Sequence, residues 1–324
     1  MAATTPFRFG AAYITLETWT ERARKVEALG YDTLVVIEHP AGGGPSPLIA
    51  LMAAASVTTT LRFSTHVLAN DLHNPVLLAQ DAATLDMLSS GRFELGLGAG
   101  WARGDYMSLG VPFEAPGVRV SRLEEAVALI KRLFQEERVT HTGTYYQVQD
   151  ACVIPKPVQQ PGMPLVIGGG GRRMLGLAAR EADVVSIDPI ATADGRKDFA
   201  YLSSNAIATQ IGWIQEAAGA RFDSLELHIL CTAVEVTDDR RRGAEQVVAF
   251  LNNAPPMFVN ATGKTIDEVL DSPRCLIGSV DQIVEDLIMR RERYGISYIT
   301  VMDFPWLPSR VDALAPVVAR LAGK

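Results

Sequence analysis

Cysteine is scarce. The three present, Cys152, Cys231 and Cys275, lie far apart and show neither metal-ligand spacing nor a disulfide framework. A disulfide-stapled scaffold is excluded, and a reducing cytoplasm is the expected compartment. His-x-x-x-His, His-x-His and Cys-x-x-Cys spacings are all missing, so no metal is expected. No apolar run approaches the roughly 18 residues that a membrane helix needs. Met1-Ala-Ala-Thr-Thr-Pro6 has no basic segment followed by an apolar one, and no secretory leader is expected there. Basic clusters are lacking too, and the net charge is −7, which argues against nucleic acid as a partner. Linker-like, repeated and low-complexity stretches are absent, so one domain is expected over residues 1–324.

What is present is a large apolar fraction, 48% against 21% charged, enough for a sizeable core. It is distributed as continuous runs, the pattern of parallel strands buried on both faces. Eight can be counted: Phe7–Ile14, Thr33–Ile37, Leu61–Ala69, Arg92–Leu97, Pro164–Gly168, Asp183–Ile187, Leu225–Val236 and Ser297–Met302. Helix-length segments separate most of them. Ser46 before Pro47 and Asn74 before Pro75 read as N-caps with proline in the first turn, and Ser279-Val-Asp-Gln282 as a capping box. Eight strands alternating with helices predict a (β/α)8 TIM barrel rather than a doubly wound open sheet. Two connections, near 136–163 and 188–224, exceed what a barrel requires and read as insertions at the C-terminal face, where long loops often serve as lids.

The chain is organised around Thr84–Trp101. There a helix ends, Gly91 supplies a left-handed turn, and a strand runs into Gly98-Ala99-Gly100 before Trp101. Glycines at a buried strand's end allow close approach to the main chain. A second glycine run, Gly168-Gly169-Gly170-Gly171, leads into Arg172-Arg173 at a helix start, where backbone amides favour anions. Arg103, Arg196 and Lys197 are further candidate positive charges. Among the five histidines, His39, directly after strand two and Glu38, is best placed for proton transfer. His228 reads as a core histidine and His141 as a surface one. Tyr13, Trp101, Asp303, Phe304 and Trp306 follow strand ends and are expected to shape a substrate pocket.

These landmarks resemble the luciferase-like monooxygenase superfamily, particularly the branch that uses the deazaflavin coenzyme F420. Gly30-Tyr-Asp-Thr-Leu-Val-Val-Ile-Glu-His39 looks like its second strand and catalytic turn. Leu61–Leu68 with Asn74-Pro75 looks like its third strand and helix start. Pro155-Lys-Pro157 with Pro164–Gly171 looks like its fifth strand and phosphate loop, and Cys275-Leu-Ile-Gly278 completes the order. The resemblance spans nearly the whole chain, from about residue 7 to residue 320.

It implies several things. A non-prolyl cis peptide is expected within Thr65-His66-Val67, at His66–Val67, although the family more often has a small residue where this chain has His66. An oxidoreductase is implied, passing a hydride between coenzyme F420 and a small organic substrate, with His39 moving the proton and Glu38 orienting it. Trp101 stands where the family's sugar-phosphate dehydrogenases carry glutamate, which argues against that activity. The alternatives are a flavin-mononucleotide (FMN) monooxygenase served by a separate reductase, and a non-catalytic flavin-binding relative. The helices Leu48–Ala55 and Val76–Ala79 are apolar around much of their circumference, and a homodimer packed through them is expected.

Overall fold

Eight parallel strands hydrogen-bond into a closed ring. They are β1 (Arg8–Tyr13), β2 (Thr33–Val36), β3 (Arg62–Thr65), β4 (Phe93–Gly98), β5 (Leu165–Gly169), β6 (Val184–Ile187), β7 (Glu226–Cys231) and β8 (Ile296–Asp303). Each pairs with its sequence neighbours, and β1 pairs with both β2 and β8, which closes the barrel. This computed structural model describes residues 5–304 and 306–324. The first four residues of the segment read for a leader lie outside them.

The expected (β/α)8 barrel is therefore the observed one. Residues of all eight strands and their covering helices form one continuous apolar core. The helices are α1 (Trp19–Ala28), α2 (Pro47–Ala55), α3 (Pro75–Leu88), α4 (Arg103–Leu109), α5 (Pro116–Gln135), α6 (Arg172–Glu181), α7 (Ser204–Ala218), α8 (Arg240–Asn252), α9 (Ile266–Asp271), α10 (Val280–Tyr294) and α11 (Arg310–Leu321). Among the described residues, no helix is long and apolar enough to cross a membrane.

Local chemistry explains the boundaries. Asn74 caps α3 by accepting from the Val76 and Leu77 amides, with Pro75 in the first turn. The capping box of Ser279 and Gln282 starts α10. Gly91 takes φ +77° as the chain turns from α3 towards β4. Ser46 makes no side-chain capping bond, contrary to expectation.

Two strand readings need correction. Leu61–Ala69 is interrupted after Thr65 and resumes only at Leu68–Ala69. Leu225–Val236 is two strands: β7 stays in the barrel, and Ala233–Val236 leaves it to pair in parallel with Cys275–Gly278. The apolar run continues across the break because both halves are apolar: β7 lies in the barrel, and the second half spans the main core through Val234 and a separate small core through Ala233. That core gathers Phe199, Leu202, Val247, Leu251, Val269 and Ile277. It belongs to a cap that the sequence reading did not separate from the barrel.

Candidate active site

A cavity of about 290 Å³ opens at the C-terminal face between the ends of β2–β6. Of the residues singled out from sequence, Glu38, His39, His66, Val67, Gly98, Ala99, Gly100, Trp101, Gly168–Gly171, Arg173 and Lys197 line it.

His39 sits three residues beyond β2. Its Nδ1 lies 2.8 Å from Asp105 Oδ2, while Asp105 Oδ1 accepts the Ala41 amide at 3.0 Å. Asp105 is in the first turn of α4 and buried. One carboxylate thus holds both the imidazole and the turn that carries it. With Nδ1–H donated to Asp105, Nε2 is left as the acceptor. Glu38 does not orient His39. Its Oε1 pairs with His73 Nε2 at 2.8 Å and its Oε2 accepts the Ala69 amide at 2.8 Å.

The His66–Val67 peptide is cis, as the resemblance implied. Val67 is seated between two glycines. A Cβ on Gly98 would lie 2.6 Å from Val67 Cγ2, and one on Gly168 would lie 3.0 Å from Val67 Cγ1. Thr65 is behind the cavity wall; its hydroxyl donates to the Gly96 carbonyl and accepts the Gly96 amide. Gly170 and Gly171 differ. A Cβ on Gly170 would run into the backbone of Asp188–Ile190, whereas one on Gly171 would meet nothing within 4 Å. Gly171 is the N-cap of α6 and gives its first-turn amides no side-chain acceptor.

Arg172 points away, paired with Glu216 on the surface at 2.7 Å. Its neighbour Arg173 lines the cavity instead, donating to the Gly117 carbonyl at 2.9 Å and to Ser121 Oγ at 2.7 Å. Arg119, buried, also lines it and donates to the carbonyls of Gly100 and Glu114. Arg196 forms an exposed pair with Asp194.

Behind the cavity a polar chain runs into the barrel. His66 Nε2 is 2.7 Å from Ser186 Oγ, which is 2.8 Å from His228 Nδ1, and His228 Nε2 is 2.8 Å from Thr300 Oγ1. Burial pushes both imidazoles below their ordinary range, His228 furthest, so each is held neutral. His228 is the hydrogen-bonded core histidine expected. His141 is partly exposed on the hairpin and contacts Glu125, which also gathers the hairpin amides of Thr144–Tyr146.

Lys197, on the cap, reaches Asp188 Oδ2 at 2.8 Å and the Pro189 carbonyl at 3.3 Å. Its ammonium lies 5.2 Å from the Trp101 ring centre. Burial would raise the Asp188 carboxyl, but the Lys197 ammonium, with the Arg274 guanidinium, outweighs it and holds the group below its usual range.

The expected aromatic pocket is only partly assembled. Trp101 lines the cavity, edge-on to His39 with ring centres 5.4 Å apart. Tyr13 is buried against Trp19. Asp303 caps α11 by accepting from Ser309 Oγ and the Arg310 and Val311 amides. Phe304 packs between Phe250 and Trp306, and Trp306 is 68% exposed. None of these four lines this cavity. They follow strands β1 and β8, whereas it opens over β2–β6.

Sequence reasoning missed Asp105 and Asp188. The signal for Asp105 was Trp101-Ala-Arg-Gly-Asp105, a short helix start with an acid in its first turn just after a glycine-rich strand end. Asp188 directly follows β6, a position equivalent to that of the residues chosen after β2 and β4.

The chain is similar to known proteins in sequence and in fold. An F420-dependent glucose-6-phosphate dehydrogenase of Kineococcus radiotolerans is 38% identical over 168 residues, 50% of this chain and 49% of that one. The match thus spans about half the length of that relative. The 4-hydroxyprotoasukamycin monooxygenase of Streptomyces nodosus subsp. asukaensis is 28% identical over 88% of this chain and 80% of its own. The coenzyme F420-dependent tetrahydromethanopterin reductase from Methanopyrus kandleri superposes with a TM-score of 0.75 over 97% of this chain and 98% of its own, at 19% identity. The sequence model of the luciferase-like monooxygenases matches from residue 2 to residue 297, across seven barrel strands and into the eighth, and the chain belongs to that family.

Proposed function

We propose that the chain is a coenzyme F420-dependent oxidoreductase and that His39 moves the proton accompanying hydride transfer. The observation that carries this is the Asp105–His39 pair at the mouth of a largely apolar cavity. A carboxylate-held imidazole is suited to proton transfer near neutral pH and would add little to a site that only bound a flat ring.

The residues fit such a cofactor. Ile37, Val67, Ala69 and Val120 offer apolar surface, and the free amides at the start of α6 with Arg119 and Arg173 offer an anion site. Bound there, the deazaflavin would supply the two-electron hydride chemistry. The chain's part is to hold and to move protons. Val67 would support the ring from behind. Nε2 of His39 takes a proton from a substrate hydroxyl as it is oxidised, or returns one to a carbonyl as it is reduced. Asp105 stabilises the imidazolium formed in the first case.

The monooxygenase relative favours a second reading, an FMN-dependent monooxygenase using dioxygen and a partner reductase. A non-catalytic flavin-binding role is the weakest of the three, because His39 and its carboxylate are both present. We also propose a cytoplasmic homodimer packed through α2 and α3, where Ile49, Leu77 and Leu88 stand 60% or more exposed.

Equilibrium titration with oxidised and reduced F420 and FMN tests the reading, using quenching of tryptophan fluorescence. Tight binding of the deazaflavin alone, with substrate-dependent change in its absorbance, is expected. Selective FMN binding would shift the assignment to the second reading.

A further inference from the structure

The three cations lining the cavity are not equivalent. Arg119 and Arg173 stand with the glycine run and the start of α5, bonded to carbonyls and a hydroxyl. Arg173 also has Glu124 at 3.5 Å, and Arg119 has no carboxylate partner among the described residues. Lys197 stands across from them, over Trp101, and is bound to Asp188 at 2.8 Å. Around His39 the lining carboxylates are Glu38, Asp105 and Asp188, three negative charges against the one ammonium. The cavity is thus positive where a cofactor's anionic arm would lie and negative where a substrate would meet His39.

On that second side Trp101 lines the cavity edge-on to His39. It is backed by Phe258, with ring centres 6.5 Å apart, which in turn packs on Phe199 of the small core at 4.9 Å. Pairing of Lys197–Asp198 with Phe258–Val259 brings the lysine and Phe258 to the same edge of the cap.

We propose that the substrate bound beside His39 is an uncharged alcohol or carbonyl compound with a ring or other apolar body, and that the Lys197–Asp188 pair excludes anionic substrates. This rests on the reading of the cavity as a deazaflavin site. A phosphate or carboxylate on the substrate would need Lys197 as its partner. Lys197 would then have to leave Asp188, a half-buried carboxylate, without its counter-ion, and breaking such a pair is costly. Rejection by an uncompensated charge is a common route to specificity. The glucose-6-phosphate named for the relatives is the kind of substrate this arrangement refuses. A neutral ring needs no counter-ion on entering, and Trp101, backed by Phe258, offers it an aromatic surface.

The test compares cyclohexanone with its carboxylate-bearing analogue and with glucose 6-phosphate, by equilibrium fluorescence titration of the protein preloaded with coenzyme F420. The wild type is expected to bind the neutral ketone at least tenfold more tightly than either anion. Asp188→Asn frees the ammonium and should shift that ratio towards the anions. Lys197→Gln leaves the carboxylate alone and should shift it further against them. A merely structural role for the pair would move both variants the same way. Equal binding of neutral and anionic ligands by the wild type, or a ratio moved in the same direction by both substitutions, would overturn the proposal. Failure of coenzyme F420 to bind in the preloading step would instead remove the reading on which it rests.

Discussion

Asp105 holds Nδ1 of His39 at 2.8 Å and, with its other oxygen, the amide of Ala41 at 3.0 Å. The two residues are 66 positions apart, on different βα connections, so docking of α4 decides how the imidazole is presented. Asp105→Asn tests that dependence. With the Ala41 amide still claiming the side-chain oxygen, the new NH2 group faces Nδ1 and donates to it, which places the imidazole proton on Nε2. Turnover in the alcohol-oxidising direction should fall by on the order of 10²-fold, and its pH dependence should move with it. A pH–rate profile identical to the wild type's would show that Asp105 supports the turn only.

The two glycines before α6 separate cofactor binding from folding. Gly171→Val places its side chain in open space at the helix start, so cofactor affinity should drop while the melting temperature is retained. Gly170→Val drives its Cβ into the backbone of Asp188–Ile190 and should cost about 1–3 kcal/mol of stability. Thermal denaturation paired with cofactor titration distinguishes them, and equal melting temperatures for both variants would contradict this division.

The buried chain from His66 to Thr300 makes stability depend on pH. In the unfolded chain each imidazole takes a proton near its ordinary value of 6.5, whereas the folded barrel holds both lower. Their contribution is therefore complete above pH 6.5 and declines as pH falls below it, where unfolding binds protons. His228→Leu should weaken that dependence. It should also cost about 1–3 kcal/mol, since Thr300 and Ser186 each lose a buried partner. Urea denaturation at pH 7.5 and pH 5.5, in wild type and variant, measures both effects. Equal stability loss on acidification in the two proteins would assign the pH effect to other groups.

For the proposed dimer, Ile49→Asp puts a charge on the most exposed aliphatic side chain of α2, which is 74% accessible. Sedimentation equilibrium should show twice the 35.0 kDa chain mass for the wild type and the single mass for the variant. A wild-type mass of one chain at all concentrations would remove the dimer.

The barrel was legible because its strands are buried on both faces, and burial leaves continuous apolar runs. The same property hid the boundary between β7 and Ala233–Val236, where both halves are equally apolar. His39 and the glycine runs were legible because they sit at strand ends. The partners of the site residues were not. Glu38 was paired with His39 because the two are adjacent in sequence, yet adjacent residues beyond a strand point to different neighbours. Glu38 turned to His73 and His39 to Asp105. Tyr13, Asp303, Phe304 and Trp306 were grouped by strand-end position alone. Such grouping ignores which sector of the ring the cavity occupies, and Asp303 proved to be a helix cap.

The central claim is that His39 carries a proton in the chemical step, and His39→Ala tests it most directly. Single-turnover reduction or oxidation of bound coenzyme F420, followed by stopped flow at saturating cofactor and substrate, separates chemistry from binding. A positioned acid–base group is worth about 10²–10⁴-fold in rate, so the variant should be slowed by that factor while cofactor affinity changes far less. A single-turnover rate near that of the wild type would contradict the account and pass the proton to another group.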